Sequence, residues 1–564
     1  MTFRLISVLV FVLSVSMLLI QSEGPALVAG FTPEEAVQYG QRMYRQGILP
    51  SGRPMQALVQ GDIPVDGTMF SCISCHLRSG LGATEGSIIS LPVNGAELFQ
   101  PLARGQEVLK LSPEQQPRQL SSTQLRPAYT EATLARAIRD GVDAGGRSLD
   151  RVMPRYKIDD RDMAVLIHYL RHLSSRISPG VDDTTIHFAT VITDDVEPAL
   201  RDAMLLTLQA HVRDRNSQSR HDEERARKGP YYKDDMFMSY RRWSLTVWEL
   251  QGDPSTWTEQ LQEYYRQRPV FALLGGISNQ DWRPIHDFCQ QQQLPCVLPI
   301  TPYPVIADDD WYTLYFSKSY DQEAESAARF IRSRSARNQI PPLVQVYRNG
   351  PAASRLADSF RQTADRLRLG PVIDVLLPAE QPADAGFWNQ LGRGHGGAAV
   401  LLWLTAADLG RSASLAEWSR PPAIVIAAGS LLGEKTGAVP AGIRDMTYLT
   451  YPHSLPEEAR KSLTVLRRWL KVRDVPVTDE VIQSKVYFIG WMLSGVIRHM
   501  RRNYYRDHFL DVWDMMNDET YAISVYPRVS FGPGQRYLAK GCYMVQLTKD
   551  PEPQLVRRSD WLIH

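Results

Sequence analysis

The chain is short of cysteine, carries no excess of either charge and lacks the motifs that bind nucleotides or activate a nucleophile. Its 564 residues include five cysteines, and its 63 Lys and Arg residues almost equal its 62 Asp and Glu residues. A balanced charge gives no basis for nucleic-acid binding. The absence of a phosphate-binding glycine loop, a nucleophile elbow and a repeat of fixed period argues against P-loop, α/β-hydrolase and solenoid proteins.

Two of the cysteines belong to a CxxCH motif, formed by Cys72, Cys75 and His76. Two thiols at this spacing can each form a thioether with a haem vinyl group, and an imidazole on the next residue can bind the iron axially. A zinc site would need further Cys or His ligands, and no second CxxC is present; thiol–disulfide exchange is the other alternative. The motif predicts one covalently attached haem c per chain, with His76 as an iron ligand.

The N-terminal residues have the pattern of a secretion signal. Arg4 precedes an apolar run at residues 5–20, and small residues at 24–30 offer a cleavage zone before Phe31. We therefore expect residues 1–30 to be a signal peptide and the mature protein to be periplasmic. Because the apolar run approaches the length of a membrane span, an uncleaved membrane anchor is the alternative.

A loop and a helix further along supply a candidate for the sixth iron ligand. Residues 145–156 begin with two glycines and contain Met153 followed by Pro154, and Asp159 and Asp160 suit the first turn of a helix. Together with a candidate opening helix at residues 33–46, this order resembles the class I cytochrome c family, whose closing helix packs across the opening one. In the closing helix, apolar residues recur at helical spacing: Met163, Leu166, Ile167, Leu170 and Leu173.

The resemblance implies that residues 31–177 form a small all-α cytochrome c domain in which Met153 binds the iron opposite His76. A methionine that only fills a gap in the core is the alternative for Met153. Met163 begins the apolar stripe of the closing helix and is expected in the core, and Met69 is too close to the attachment motif to reach over the haem. Met153 is therefore the better candidate for the iron ligand. A His/Met pair saturates the iron, which is typical of an electron carrier rather than a peroxidase.

A different pattern begins after residues 174–183, where Ser, Pro, Gly and Asp cluster. From residue 184, short apolar runs alternate with helical segments, which predicts βαβ units around a mainly parallel sheet. Two series of such strands indicate two lobes. The strand candidates lie at residues 186–192, 244–250, 270–274, 296–300, 343–347, 372–377, 399–404 and 423–428.

This second part resembles the type I periplasmic solute-binding proteins, the Leu/Ile/Val-binding group. The resemblance rests on a strand and glycine turn at residues 271–279, a helix that ends at Leu294, a turn at residues 299–302 and a run at 526–536 that is similar to the closing strands of the family. It implies an α/β, Rossmann-like domain at residues 184–564 with two lobes and a small ligand between them.

By position, the resemblance assigns the ligand cleft to loop residues of the first lobe and to the crossing between the lobes. Ordinary turn and capping chemistry is the alternative for all of them. The candidates are Ser278, Asn279, Thr301, Tyr303 and Tyr320.

The sequence also departs from that family. Residues 428–430 read Ala-Gly-Ser where amino-acid-binding members commonly place an acidic residue, so we do not expect an amino acid ligand. The charged residues 213–228 are expected to form a solvated loop. Cys289 and Cys296 fall at a helix end and a strand start, where an oxidising compartment could join them, and both the thiol and the disulfide form remain open.

The two parts together predict an exported electron carrier. Its haem would transfer single electrons, and the solute-binding-like domain would recruit a small ligand or a periplasmic redox partner from a dehydrogenase system. The first alternative is a ligand-binding receptor, or a redox or gas sensor, in which the haem is regulatory. The second is a haem peroxidase-like enzyme, although a carrier or binding protein is expected rather than a catalyst.

Overall fold

The computed structural model describes residues 26–86, 88–101, 126–227, 240–335, 339–433, 435–516, 525–531 and 534–563. The chain divides into two compact units, Met1–Arg176 and Ile177–His564. Residues 1–25 of the predicted signal peptide lie outside the described residues. Within the described ranges, none of the helices has the length and apolar character needed to cross a bilayer.

The first unit is built around a close crossing of its first and last helices. The opening helix has a reciprocal cap, because the Thr32 hydroxyl accepts the Glu35 N–H and the Glu35 carboxylate accepts the Thr32 N–H. At the crossing, a Cβ on Gly40 would lie 2.3 Å from Tyr169 Cβ, so the approach of the two helices requires glycine. The elements are α1 (Pro33–Gln46), β1 (Gln56–Val59), β2 (Ile63–Asp66), α2 (Ile73–His76), β3 (Thr84–Glu85), β4 (Ile88–Ile89), α3 (Gly95–Leu98), α4 (Glu131–Asp140), β5 (Arg155–Lys157) and α5 (Asp160–His172).

The first unit is not all-α, which corrects the sequence prediction. β1 pairs with β2 and with β5, both antiparallel, and β3 pairs with β4. Gln60 and Gly61 have positive φ values of 54° and 107°, which turns the chain back between β1 and β2. None of the strands among the described residues of this unit exceeds 4 residues, which is too short for an alternating apolar pattern to predict them.

The second unit begins with a lobe built on a parallel sheet. The elements of this lobe are β6 (Thr185–Thr193), α6 (Pro198–Arg227), β7 (Arg242–Leu250), α7 (Trp257–Gln267), β8 (Ala272–Leu274), α8 (Arg283–Gln291), β9 (Cys296–Val297) and β10 (Thr313–Leu314). The strand order is β10-β9-β8-β6-β7, with every pair parallel. α6 continues as a helix through the charged residues up to Arg227 that were predicted to form a loop.

The second lobe is built on a mixed sheet. The elements of this lobe are α9 (Tyr320–Arg334), β11 (Leu343–Arg348), α10 (Pro351–Arg366), β12 (Val372–Leu377), α11 (Ala385–His395), β13 (Ala399–Trp403), α12 (Ala406–Leu409), β14 (Ile424–Ala428), α13 (Gly429–Leu432), β15 (Thr447–Tyr451), β16 (Gly541–Leu547), β17 (Leu555–Arg557) and β18 (Leu562–Ile563). The five strands β12-β11-β13-β14-β15 are parallel, and β16 to β18 add to this sheet antiparallel. The run 526–536 forms no strand in its described residues, so the closing strands lie later than predicted.

Three segments connect the lobes, because the chain returns to the first lobe before it ends. It passes from β10 to α9, comes back after β15 to α14 (Pro456–Val472), α15 (Glu480–Met500) and α16 (Arg506–Met515), and leaves again for β16. Apolar side chains of α15 and α16 belong to the same buried core as the first sheet: Ile482, Val486, Ile489, Leu493, Phe509 and Trp513. The connections therefore lie beside the cleft between the lobes.

Candidate functional site

A cavity of about 230 Å³ lies in the cleft between the two lobes of the second unit. Loops that follow β8, β9 and β10 line it from the first lobe, and loops that follow β14 and β15 line it from the second. Because the carboxyl ends of parallel strands meet at one edge of a sheet, residues far apart in sequence converge here. The start of α9 and one face of α15 complete the wall.

The structure brings most of the sequence-predicted cleft residues to this cavity. Asn279, Thr301 and Tyr320 line it. Tyr303, from the first lobe, packs its ring 5.8 Å from the ring of Tyr320, which begins the second lobe. Ser278 is fully buried, and its hydroxyl accepts the Gln280 N–H, a capping role that leaves it off the cavity wall.

Glu323 is a cleft residue that sequence reasoning missed. Its side chain is buried in the first turns of α9 and lines the cavity, where it accepts hydrogen bonds from the Thr450 hydroxyl and from the Ser430 N–H, the latter at 3.3 Å. Burial raises the pKa of Glu323, and these two donors oppose the rise. The structure thus brings an acidic side chain to the turn at residues 428–430, where the sequence has none.

A lysine and a histidine also face the cavity. The Lys485 ammonium lies 5.4 Å from the ring centroid of Phe316 and 5.8 Å from that of Tyr526. Nδ1 of His453 is buried and has no hydrogen-bond partner among the described residues. Burial, with a smaller contribution from the Lys485 charge, lowers the pKa of His453 to about 3, so this imidazole is neutral at physiological pH.

In the first unit, the CxxCH motif forms the short helix α2. Cys72 is half-buried and Cys75 is exposed. Nδ1 of His76 lies 2.9 Å from the Leu91 carbonyl oxygen, which fixes Nδ1 as the protonated nitrogen and leaves Nε2 as the one that can bind a metal. These residues fit a covalently bound haem: the Cys72 and Cys75 thiols would attach it, and His76 would bind its iron.

Met153, the predicted second axial ligand, lies half-buried in a loop that is held at both ends. Arg155 donates to the Met153 carbonyl oxygen at 2.6 Å, and Gln60 donates its N–H to the Arg151 carbonyl oxygen at 3.0 Å. The Tyr156 hydroxyl donates to the carbonyl oxygen of Phe70, two residues before the motif. The loop that carries Met153 is thereby tied to the attachment segment, and the iron-binding role of Met153 stays a prediction.

The cysteines Cys289 and Cys296 are thiols in this structure, and both are fully buried. Burial is the main reason that the pKa of Cys289 is raised, and the neighbouring Cys296 adds to the rise. The two thiols lie side by side in the core between α8 and β9.

No family model matches the chain, and no curated protein does. Among solved structures, a fatty acid ABC transporter substrate-binding protein from Thermomonospora curvata is 14% identical, with a TM-score of 0.43 over 69% of this chain and 95% of its own. A branched-chain amino acid ABC transporter protein from Thermus thermophilus with bound valine is 10% identical, with a TM-score of 0.45 over 68% and 98%. A putative branched-chain amino acid ABC transporter protein from Rhodospirillum rubrum is 11% identical, with a TM-score of 0.46 over 66% and 99%.

These findings correct the main functional prediction. The solved structures that align with the chain are substrate-binding proteins or proteins of amino acid transporters, which contradicts the single-electron carrier. The predicted redox partner depended on the carrier function, and these comparisons do not show one. The two-lobed α/β architecture predicted for the second part is the one the structure has.

Proposed function

We propose that this protein is a periplasmic receptor that binds a small solute in the cleft of its second unit. The observation that carries the proposal is the cavity of about 230 Å³ between two α/β lobes, lined by loops from both. Sites of this kind combine an apolar wall with a few fixed polar groups. Here Asn279, Thr301 and Ser430 supply such groups from different loops.

The connections between the lobes support this function. Three short segments join two separately packed lobes, so small backbone rotations in them can close the cleft around a solute. Tyr303 and Tyr320 belong to opposite lobes and are already in contact at one end of the cavity. A solute that bridges the lobes would stabilise the closed arrangement by binding it better than the open one.

Thermal unfolding of the purified full chain in the presence of a solute panel tests the receptor function. A solute at 100 times its Kd stabilises the folded state by about 2.7 kcal/mol, enough for a clear rise in Tm. Asn279→Trp would fill the cavity mouth and abolish the rise, whereas Asn389→Trp, on the exposed face of α11, would leave it unchanged. A panel of amino acids, carboxylic acids, sugars and amides with no stabilising member would refute the receptor function.

We further propose that the first unit carries haem c and that this group regulates the receptor. The bond from His76 Nδ1 to the Leu91 carbonyl oxygen supports haem attachment, because it orients the imidazole and leaves Nε2 available for iron. When bound, the haem supplies an iron that can change oxidation state or bind a gas. Cys72 and Cys75 would supply the thiols that form the two thioether bonds, and His76 would supply the imidazole that binds the iron.

Maturation in a host that attaches c-type haem tests this part of the proposal. The wild-type chain should gain the mass of one haem, and a chain with Cys72→Ala and Cys75→Ala should not, while Cys542→Ala should keep the group. If the haem regulates the receptor, the affinity for a stabilising solute should differ between the oxidised and reduced forms. By linkage, solute binding should then also shift the equilibrium between these two forms. Equal affinities in the oxidised and reduced forms would refute the regulatory role without refuting the receptor function.

A further inference from the structure

The cavity contains a cation with no acidic partner. Lys485 projects from α15 over the rings of Phe316 and Tyr526, and among the described residues no carboxylate lies within ion-pair distance of its ammonium group. The Lys485 side chain is half-buried, and the two rings attract its ammonium group without neutralising the charge. An anion in the cavity would pair with this charge.

His453 adds a hydrogen-bonding group at the same end. Its ring lies 5.9 Å from the rings of both Tyr451 and Tyr526, and Nδ1 is buried without a partner among the described residues. Because the imidazole is neutral, it contributes a hydrogen bond and no second positive charge. Lys485 and His453 together therefore match an anion with one negative charge.

Glu323 does not require a positively charged group from the solute. Its carboxylate accepts hydrogen bonds from the Thr450 hydroxyl and the Ser430 N–H, and no ion pair joins it to Lys485. Both bonds end on Oε2 of Glu323 and hold the turn at Ser430, and burial, which raises the pKa of this carboxyl, favours its uncharged form. A solute with an ammonium group would compete with these two donors.

Part of the wall is apolar and aromatic. Besides Tyr320 and Tyr526 it includes Pro299, Ile300 and Ile482. A dry cavity of roughly 150 Å³ holds one benzene molecule. The volume of about 230 Å³ here is therefore enough for one ring and a short substituent.

We propose that the cleft selects a monoanionic carboxylate that bears one ring and has no ammonium group, with its carboxylate bound by Lys485 and His453 and its ring against the apolar wall. This inference rests on the proposed receptor function. It makes Lys485, which no sequence motif marks, the residue that determines specificity.

Calorimetric titration of the full haem-loaded chain with three matched probes tests the inference. Phenylacetate has the proposed chemistry, phenylacetamide has the same shape without the charge, and L-phenylalanine adds an ammonium group. We expect phenylacetate to bind at least about 10-fold more tightly than either of the others. Lys485→Met, which keeps the length of the side chain and removes its charge, should weaken phenylacetate binding by about 30-fold or more.

The controls separate this inference from the receptor function. Lys461→Met removes an exposed lysine of α14 and should leave phenylacetate binding unchanged. Amide binding as tight as acid binding, unchanged affinity in Lys485→Met, or no binding of phenylacetate would each overturn the inference. Because the comparison of acid with amide uses the wild-type chain, it remains decisive if Lys485→Met fails to fold, and stabilisation by any other solute of the panel would still support the receptor.

Discussion

Thr450→Val tests the hydrogen bonds that hold Glu323 at the cleft. Valine keeps the shape of threonine and removes the hydroxyl, which donates to the Glu323 carboxylate and accepts the Gly429 N–H at 3.2 Å. A hydrogen bond to a charged group contributes about 1.5–3 kcal/mol, and a backbone N–H left without its acceptor costs about 1 kcal/mol or more. We expect the free energy of unfolding at pH 8 to fall by about 3 kcal/mol.

The effect should depend on pH, and its sign follows from the raised pKa of Glu323. Burial raises the pKa above its value in the unfolded chain, so the buried charge costs most at high pH, and stability rises as the pH falls through the folded pKa towards the unfolded one. The hydrogen bond from the Thr450 hydroxyl stabilises the ionised carboxylate of Glu323 more than its neutral form. The destabilisation by Thr450→Val should therefore shrink when the pH is lowered from 8 to 5.

The assay can follow the second unit alone. All 12 tryptophans lie in this unit, so their fluorescence during urea unfolding of the full chain reports its stability and not that of the first unit. Thr464→Val, at an exposed position of α14, is the matched control and should change stability by less than about 0.5 kcal/mol. A loss below about 1 kcal/mol for Thr450→Val, or a loss that is the same at both pH values, would refute the reasoning.

Three further predictions concern the helix crossing, the predicted iron ligand and the cysteines. Gly40→Ala should destabilise the first unit by about 2–3 kcal/mol and lower its Tm, because the new Cβ would lie 2.3 Å from Tyr169 Cβ, and an unchanged Tm of that unit would contradict this. Gly394→Ala, at a helical glycine of the second unit with open space around it, should be neutral or slightly stabilising for that unit. If Met153 binds the iron of the regulatory haem, the reduced Met153→Ala variant should bind CO faster than wild type, as followed by the Soret band. Met69→Ala, at an exposed position, should bind CO at the wild-type rate. Equal CO-binding rates for Met153→Ala and wild type would exclude the ligand role. After denaturation of the haem-loaded chain, a thiol reagent should label all of the 5 cysteines except the two of the motif, and protection of Cys289 and Cys296 would show a disulfide instead.

The sequence predicted the elements that have a strong local pattern. Helix α1 has the bounds expected for the opening helix, residues 33–46, and a strand lies at each of the eight predicted positions of the second unit. Most of these strands are buried on both faces and therefore stand out as continuous apolar runs, whereas the edge strands β7 and β12 are partly exposed. The short strands of the first unit have too few residues to show a period, and α6 extends into charged residues whose apolar stripe has ended.

The sequence predicted only some of the cleft residues. Asn279, Thr301 and Tyr320 belong to loops and a helix start whose order along the chain indicates a position in the cleft. Glu323 reaches Ser430 across 107 positions, and Lys485 joins the same wall from a helix of the returning segment. No local pattern indicates contacts of this kind, because they arise only when the two lobes and their connections are folded.

The return of the chain to the first lobe also sets an order of events during synthesis. The strands β6 to β10 emerge long before α15 and α16, which supply a large part of the core that covers them. Until these late helices arrive, the nascent first sheet presents an uncovered apolar face, a state that favours aggregation. The second lobe, apart from its closing strands, can assemble earlier, so a chain that stops before Glu480 would leave the first lobe dependent on chaperones.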